Sequence, residues 1–198
     1  MSPDLLPLFP LPNVVLFPGV FLPLHIFEPR YRDMVSDALA GDRLIGMTLL
    51  RSGWESEYEG RPPVYEVGCS GVITHCEPLE DGRFNIILRG VERFRILEED
   101  GTRSYRLARV QRLPEPEPST NDRLLLRAHR ARLELLLSPY QRPDGFDPRA
   151  GAAMSDDDLV NALAQYLDLE AVERQALLEC TGIVDRAHAL SDLLEMQT

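Results

Sequence analysis

The chain has 198 residues, of which 44% are hydrophobic and 27% charged, and its formal net charge is −11. This composition is typical of a folded globular protein, and its acidity disfavours nucleic-acid binding because phosphate backbones are repelled. All 21 basic residues are arginine. The absence of lysine excludes a P-loop lysine, a Ser–Lys peptidase dyad and Schiff-base chemistry within this sequence.

Cysteine usage and the N-terminus indicate the compartment. Cys69, Cys76 and Cys180 form no CxxC pair, which favours a reduced protein. The first basic residue is Arg30, so the apolar N-terminus lacks the charged region of a signal peptide. No stretch of about 20 uninterrupted apolar residues predicts a membrane span. We therefore expect a cytoplasmic protein without a membrane partner.

The N-terminal region is apolar and rich in proline. Residues 5–24, LLPLFPLPNVVLFPGVFLPL, predict edge strands and turns, because proline forbids helix and removes a hydrogen-bond donor from a central strand. NVVLF, residues 13–17, is the clearest strand by pattern. A helix is predicted at about 29–40, with Pro29 in its first turn.

A sheet and then helices are predicted in the rest of the chain. Short apolar segments with glycine-containing turns between residues 44 and 112 indicate a small barrel or a strongly bent sheet, with a bulge near Gly68 and Gly71. LPEPEPST, residues 113–120, is typical of a stiff polyproline II spacer. The fold class is therefore α+β, with domains predicted at 1–118 and 119–198.

Helical periodicity begins after the spacer. Helices are predicted at about 121–137, after the cap Ser155, and at about 169–180 and 183–196. The face of the helix at about 121–137 that is predicted to be buried consists of Leu125, Ala128, Arg132, Leu135 and Leu136.

Three motifs superficially suggest catalysis or metal binding. Ser70 in GCSG resembles a nucleophile turn, but in a regular strand His75 would point to the opposite face. Cys69, His75, Cys76 and Cys180 lack the short ligand spacing of structural zinc. Asp156, Asp157 and Asp158 point about 100° apart on a helix and complement its dipole instead. We predict no catalytic residue, no metal and no cofactor.

A strand with alternating arginines leaves two interpretations open. Arg89, Arg93 and Arg95 alternate with Phe94 and Ile96, as in an anion-binding or RNA-binding stripe or in a half-buried structural strand. Four acidic residues in the same region neutralise the arginines. We do not expect nucleic acid as a partner, although an RNA-binding module remains an alternative.

The chain resembles a known family over nearly its whole length. LPLFPLPNVVLFPGVFLPLHIFEPRYRDMV, residues 6–35, closely resembles the N-terminal, substrate-binding domain of the ATP-dependent Lon protease family. VGCSGVITHCEPLEDGRFNIILRGVERFRILEE, residues 67–99, is similar to the Gly-rich strand, D-G-R turn and G-x-x-R-F-x-I strand of its members. The tail RQALLECTGIVDRAHAL, residues 174–190, resembles the helical bundle that follows.

The resemblance implies a PUA-like β pseudo-barrel with one early helix, followed by an α-helical bundle. It also implies recognition of unfolded or damaged polypeptides, with an ATP-dependent protease as a further partner. Members of the family carry an ATPase module and a Ser–Lys peptidase domain downstream, and neither is present in these 198 residues. We therefore expect a stand-alone, non-enzymatic module of this peptidase family (S16), acting in protein quality control in a bacterium.

Two sets of residues are singled out by the family pattern. A structural motif is expected at the joint between the leading strands and the first helix, where it comprises His25, Glu28, Arg30 and Tyr31. Two residues of the strand that contains the alternating arginines, Arg93 and Phe94, belong to the same motif. Glu28 should be largely buried and bonded to backbone amides or paired with an arginine, with Arg93 as the candidate. Phe17, Phe21 and Leu22 flank the Pro18–Gly19 turn and are candidate substrate contacts, with core packing as the alternative.

Two functions other than polypeptide binding remain open. A PUA-like RNA-binding or nucleotide-binding module would be favoured by a contiguous arginine patch. A small-molecule enzyme would be favoured by a deep pocket with convergent polar groups.

Overall fold

The computed structural model describes residues 5–57, 60–137 and 153–196. The chain divides into two compact units, Met1–Pro114 and Glu115–Thr198. The first is built around a sheet and the second is helical, which confirms the predicted α+β class. The domain boundary after residue 118 stays a prediction. No helix in the described ranges has the length and apolar character needed to cross a membrane.

The first unit contains six strands and one α-helix among its described residues. They are β1 Leu5–Leu11, β2 Phe21–Ile26, α1 Pro29–Leu39, β3 Leu44–Leu49, β4 Val67–Pro78, β5 Phe84–Asp100 and β6 Arg106–Leu113. The strand order is β2-β5-β4-β3-β1-β6, and β5 also pairs with β6, so that five strands form a closed ring with β2 outside it. All pairings are antiparallel except β1 with β3.

The length of β5 makes this ring possible. Its first part pairs with β2 over Phe84–Arg89, and its last part pairs with β6 over Arg93–Asp100. Irregularities in the β4–β5 register lie between Ser70 and Gly71 and between Ile73 and His75. Extra residues at such bulges bend the strands, as the Gly-rich sequence predicts.

The prediction that the leading prolines confine residues 5–11 to a sheet edge is wrong. β1 lies inside the sheet, but its two halves use different neighbours: Leu5–Leu8 pairs with β6 and Leu8–Leu11 with β3. Pro7 and Pro10 therefore each lie where only one side of the strand is paired, and a missing N–H can face the other side.

The strand predicted at NVVLF is also absent. Val15, Leu16 and Phe17 are all buried, with at most 4% exposure, in a segment outside the sheet. Gly90 on β5 fixes the turn that follows, since a Cβ there would overlap the backbone carbonyl of Phe17. The Gly19 N–H donates to the Gly90 carbonyl at 3.0 Å, and the Gly90 N–H donates to the Val20 carbonyl at 2.9 Å.

The second unit contains α2 Thr120–Leu136, α3 Asp156–Tyr166, α4 Ala171–Glu179 and α5 Ile183–Met196. The predicted cap Ser155 is present, since its hydroxyl accepts from the Asp158 N–H on α3. Ser119 and Asp122, which were not singled out from the sequence, form a reciprocal capping box on α2. The predicted apolar face of α2 is wrong, because Leu126 and Leu133 are buried whereas Leu135 is 84% exposed. Consecutive leucines offer more than one apolar face, so periodicity does not choose between them.

A fully buried arginine links the elements of the helical unit. Arg186 on α5 has no exposed surface. Its Nε donates to the Leu177 carbonyl at 3.0 Å, its Nη1 donates to Asn161 Oδ1 at 2.6 Å, and its Nη2 pairs with Glu115. These contacts connect α5 with α4, α3 and the segment before α2. A buried guanidinium is tolerated only when its donors are satisfied in this way.

Candidate functional site

A cleft of about 580 Å³ opens at the first turn of α1. Four arginines line this cleft, namely Arg30, Arg61, Arg103 and Arg106. We call it the arginine cleft. The other residues that line it are Glu28, Pro29, Tyr31, Gly60, Ser104 and Tyr105. The residues around Glu28 therefore meet two segments that are distant in sequence, one before β4 and one between β5 and β6.

Glu28 forms one wall of the arginine cleft with Arg30 and Tyr31. The Glu28 side chain is 22% exposed, and its Oε2 accepts from the Arg30 Nε at 2.9 Å. The Arg30 guanidinium lies 4.7 Å above the Tyr31 ring. The predicted pairing with an arginine is thus present, with Arg30 as partner. The alternative to this pairing, hydrogen bonding of the carboxylate to backbone amides, is not seen at the helix cap, where the Glu28 side chain makes no hydrogen bond.

The remaining arginines of the cleft also contact carboxylates. Arg106 is 8% exposed in its side chain and contacts Glu99 at 3.2 Å, whereas Arg103 is 53% exposed and lies 3.5 Å from Asp37. The Tyr105 hydroxyl donates to Asp37 at 2.6 Å. Burial, followed by the hydrogen bond to Asp37, raises the pKa of Tyr105 well above its ordinary value, so the phenol remains neutral.

His25 is separated from the other residues of the predicted motif. It is exposed on β2, with Nδ1 2.8 Å from Asn85 Oδ1 and Nε2 3.2 Å from the Arg83 guanidinium. Its ring stacks on Phe27, with centroids 6.2 Å apart. His25 therefore belongs to the outer surface of β2 and does not line the arginine cleft.

Arg93 and Phe94 lie inside the first unit, Met1–Pro114, which we call the barrel unit, with 5% and 1% exposure. Phe94 packs with Leu6, Leu8 and Ala108. Arg89 and Arg95 are exposed, so Arg93 interrupts the stripe predicted from the sequence. The β4 register shift between Ser70 and Gly71 skips Val91, and this bulge changes the side-chain alternation after Arg89.

The three candidate substrate contacts differ in exposure. Phe17 is completely buried, so its prediction as a surface contact is wrong: Gly90 allows the segment before the turn to lie directly on β5. Phe21 is 50% exposed and Leu22 is partly exposed. Phe27, which was not singled out from the sequence, is 59% exposed just beyond β2.

β2 is the outermost strand of the described sheet and pairs only with β5. The hydrogen bond from the Gly90 N–H to the Val20 carbonyl indicates that the even-numbered residues of β2 direct their backbone N–H and C=O groups towards β5. Pro23 and His25 then direct their backbone groups to the outer edge, where the missing N–H of proline is tolerated. The edge is thus extended, partly apolar and accessible to another strand.

The residues considered for catalysis do not form a constellation. Ser70 is 7% exposed and its hydroxyl donates to the Glu92 carbonyl at 3.1 Å, while His75 is exposed beyond a bulge. Cys69 is buried in the barrel unit and Cys180 belongs to the helical unit. Within the described ranges, no group of three or more potential ligands could hold a metal ion. Asp156 begins α3 and pairs with Arg130 at 2.9 Å.

The sequence did not indicate that Arg61, Arg103 and Arg106 line one cleft. They are distant from α1 in sequence and come close to it only in the folded structure. Phe27 offered a local signal: an aromatic residue directly after a predicted edge strand and before the proline that begins a helix. The cleft itself had no comparable signal in the sequence.

A barrel-like sheet with an outer strand, followed by a helical unit, defines an α+β fold of two units. Residues 5–196 match the family described as the ATP-dependent protease La (LON) substrate-binding domain. This chain therefore belongs to the Lon substrate-binding domain family.

Curated relatives and solved structures show the same similarity. The chain is 28% identical to the Lon protease of Flavobacterium johnsoniae, covering 93% of this chain and 23% of the relative. It is 30% identical to Lon protease 2 of Syntrophobacter fumaroxidans, covering 89% and 22%. The chain thus spans about a quarter of the length of these relatives.

Two solved structures share the fold. The N-terminal domain of Mycobacterium avium complex Lon protease aligns with a TM-score of 0.72 at 17% identity, covering 98% of this chain and 100% of that one. A Lon N-terminal domain protein from Xanthomonas campestris aligns with a TM-score of 0.63 at 25% identity, covering 96% and 97%.

Proposed function

We propose that this chain binds unfolded polypeptides through the outer surface and open edge of β2. The observation that carries the proposal is the exposure of Phe21 and Phe27 at the two ends of the outermost strand of the sheet. An extended client segment can add to such an edge through main-chain hydrogen bonds, while its apolar side chains contact neighbouring pockets. Membership of the substrate-binding domain family supports this function.

The affinity of this surface should come mainly from apolar burial. Fully burying a phenylalanine side chain contributes about 1.5–3 kcal/mol, and Phe21 begins half exposed. Pro23 lies at the outer edge and removes one donor, which limits self-association of the strand. We therefore expect reversible binding of many apolar clients with little sequence specificity.

Phe21→Ser should weaken binding of a reduced, unfolded client of neutral net charge by about tenfold or more. The measurement is fluorescence anisotropy of a labelled client. Leu97→Ser is the matched control, because Leu97 is 53% exposed on the part of β5 that pairs with β6 rather than β2. Wild-type affinity should change little between about 50 and 200 mM salt, since few counterions are released. Equal losses in both variants, or no loss in Phe21→Ser, would contradict the proposal.

We further propose that this chain is not itself an enzyme and that its clients pass to an ATP-dependent protease. The purified protein should neither hydrolyse ATP nor degrade casein, because phosphate binding and serine activation in this family's chemistry both need a lysine. Any turnover should persist unchanged in Ser70→Ala and His75→Ala, as expected for a contaminant. Turnover abolished by either substitution would overturn the non-catalytic assignment.

RNA binding is the second candidate, and the arginine cleft is the observation that favours it. All four of its arginines already lie beside a carboxylate, that of Glu28, Asp37 or Glu99. A phosphate chain longer than the cleft would continue onto the surface of a protein with a net charge of −11. Polypeptide binding therefore remains the better supported function.

A further inference from the structure

We propose that the arginine cleft binds carboxylate groups of a client polypeptide, supplied by acidic side chains or by a free C-terminus. The inference rests on the proposed function, because it defines a second contact for the same class of client. The arginine cleft uses other residues and other chemistry than the edge of β2, so the two client contacts can be tested separately.

The charge of the arginine cleft differs from that of the whole protein. Its charged lining residues in the described structure are four arginines and Glu28, whereas the formal net charge of the chain is −11. Asp37 and Glu99 contact three of these arginines, so with Glu28 they offset most, but not all, of the four positive charges. In so acidic a protein, a concave site with this balance still favours an anionic ligand. The volume of about 580 Å³ suits a short group of atoms, such as one or two side chains, and lies in the usual range for ligand pockets.

The contacts inside the cleft indicate which anion it suits. Arg30 pairs with Glu28 at 2.9 Å and Arg106 pairs with Glu99 at 3.2 Å, so these guanidiniums already have carboxylate partners. The planar fork of arginine matches a carboxylate with two parallel hydrogen bonds. An incoming carboxylate can therefore contact the more exposed arginines while the buried Arg106 keeps its intramolecular partner.

Arg61 and Arg103 are the arginines best placed to change partner. Their side chains are 43% and 53% exposed, and their carboxylate contacts are the longer ones, at 3.8 Å to Glu99 and 3.5 Å to Asp37. Such exposed, loosely held pairs contribute little to folding. Both guanidiniums can turn towards a ligand carboxylate without leaving a buried charge unpaired.

Aromatic residues complete the lining without adding negative charge. Tyr31 and Tyr105 are 6% and 3% exposed, and the Tyr105 hydroxyl donates to Asp37. A neutral phenol does not repel an acidic client. Because both rings are almost fully buried, they offer little contact area, and the exposed guanidiniums of Arg61 and Arg103 provide the main ligand contacts.

The test compares two short glycine–serine peptides, one with a run of aspartates and one with asparagines at the same positions. Each is made with a C-terminal acid and with a C-terminal amide, and carries an uncharged fluorophore. At about 50 mM salt, we expect the aspartate peptide to bind about tenfold more tightly than the asparagine peptide if side chains are the source. A preference for the acid over the amide would identify the chain terminus instead.

Arg61→Gln combined with Arg103→Gln should weaken binding of the preferred peptide by about tenfold or more. Arg109→Gln is the matched control, since Arg109 is a 55% exposed arginine of β6 that pairs with Glu98 and does not line the cleft. The fluorescence of Trp54 checks that each variant folds. Raising the salt concentration should weaken this binding, in contrast to that of a neutral client.

Equal binding of all four peptides, or an unchanged affinity in the double variant, would overturn the inference. A single-stranded RNA that binds the cleft more tightly than any peptide would also overturn it. If the cleft fails but a neutral client still loses affinity in Phe21→Ser, only this inference is lost. If the neutral client does not bind at all while the aspartate peptide does, the proposed function of β2 fails instead.

Discussion

Replacing Arg186 with methionine is expected to lower the free energy of unfolding of the helical unit by about 3–5 kcal/mol. The substitution leaves the Asn161 side chain, which is 4% exposed, and the Leu177 carbonyl without their guanidinium donor. Water can reach Glu115, which is 24% exposed in its side chain, more easily than Asn161. Loss of buried hydrogen bonds therefore dominates the effect.

Urea denaturation followed by the far-ultraviolet helical signal measures this change. Arg132→Met is the matched control, because Arg132 is 37% exposed and pairs with Glu195 at the surface of the same unit. Its loss should cost at most about 1 kcal/mol. Similar transition midpoints for the two variants would show that Arg186 does not hold the unit together.

Phe17→Ser is expected to destabilise the barrel unit by about 3–5 kcal/mol. Phe17 is completely buried, and the backbone of its turn rests directly on Gly90 of β5. A serine leaves a cavity and introduces a hydroxyl into an apolar environment. The unfolding transition of Trp54 fluorescence reports the loss, because Trp54 is the single tryptophan and belongs to this unit.

Phe21→Ser provides the matched control for Phe17→Ser in the same segment. With half of its side chain exposed, Phe21 should contribute at most about 1 kcal/mol to stability. A large loss of stability in Phe21→Ser, together with normal unfolding of Phe17→Ser, would reverse the assigned roles of the two residues.

Local chemistry made some elements predictable. Pro29 in the first turn of α1 and the Ser155 cap are decided by neighbouring residues, so sequence alone places these helix ends well. The turn at Gly82 is similar, since its φ of 78° is one that glycine adopts readily.

Tertiary pairing made other elements unpredictable. β1 tolerates Pro7 and Pro10 only because each half pairs with a different strand, and no local rule contains that information. The burial of Phe17 and the exposure of Phe21 depend on where the turn between them meets β5. The sequence shows where the prolines and aromatic residues are, but not which strand pairs beside each proline or whether each aromatic side chain is buried.

The arginine cleft likewise has a part that could be predicted from the sequence and a part that could not. The sequence places Glu28, Arg30 and Tyr31 together because Glu28 is the cap residue of α1 and the other two lie in its first turn. Arg61 and Arg106 reach that turn only through the closure of the sheet, so the arginine cleft could not be predicted. His25 lies near Glu28 in sequence, yet it belongs to the surface of β2.

Amide hydrogen exchange with and without a saturating unfolded client of neutral charge tests the central claim most directly. If client segments add to the open edge of β2, the amide of His25 and its neighbours in Phe21–Ile26 should exchange more slowly in the complex. The amides of β3, an inner strand of the sheet, should change little. Unchanged exchange throughout β2, with slower exchange confined to the helical unit, would contradict polypeptide binding at this edge.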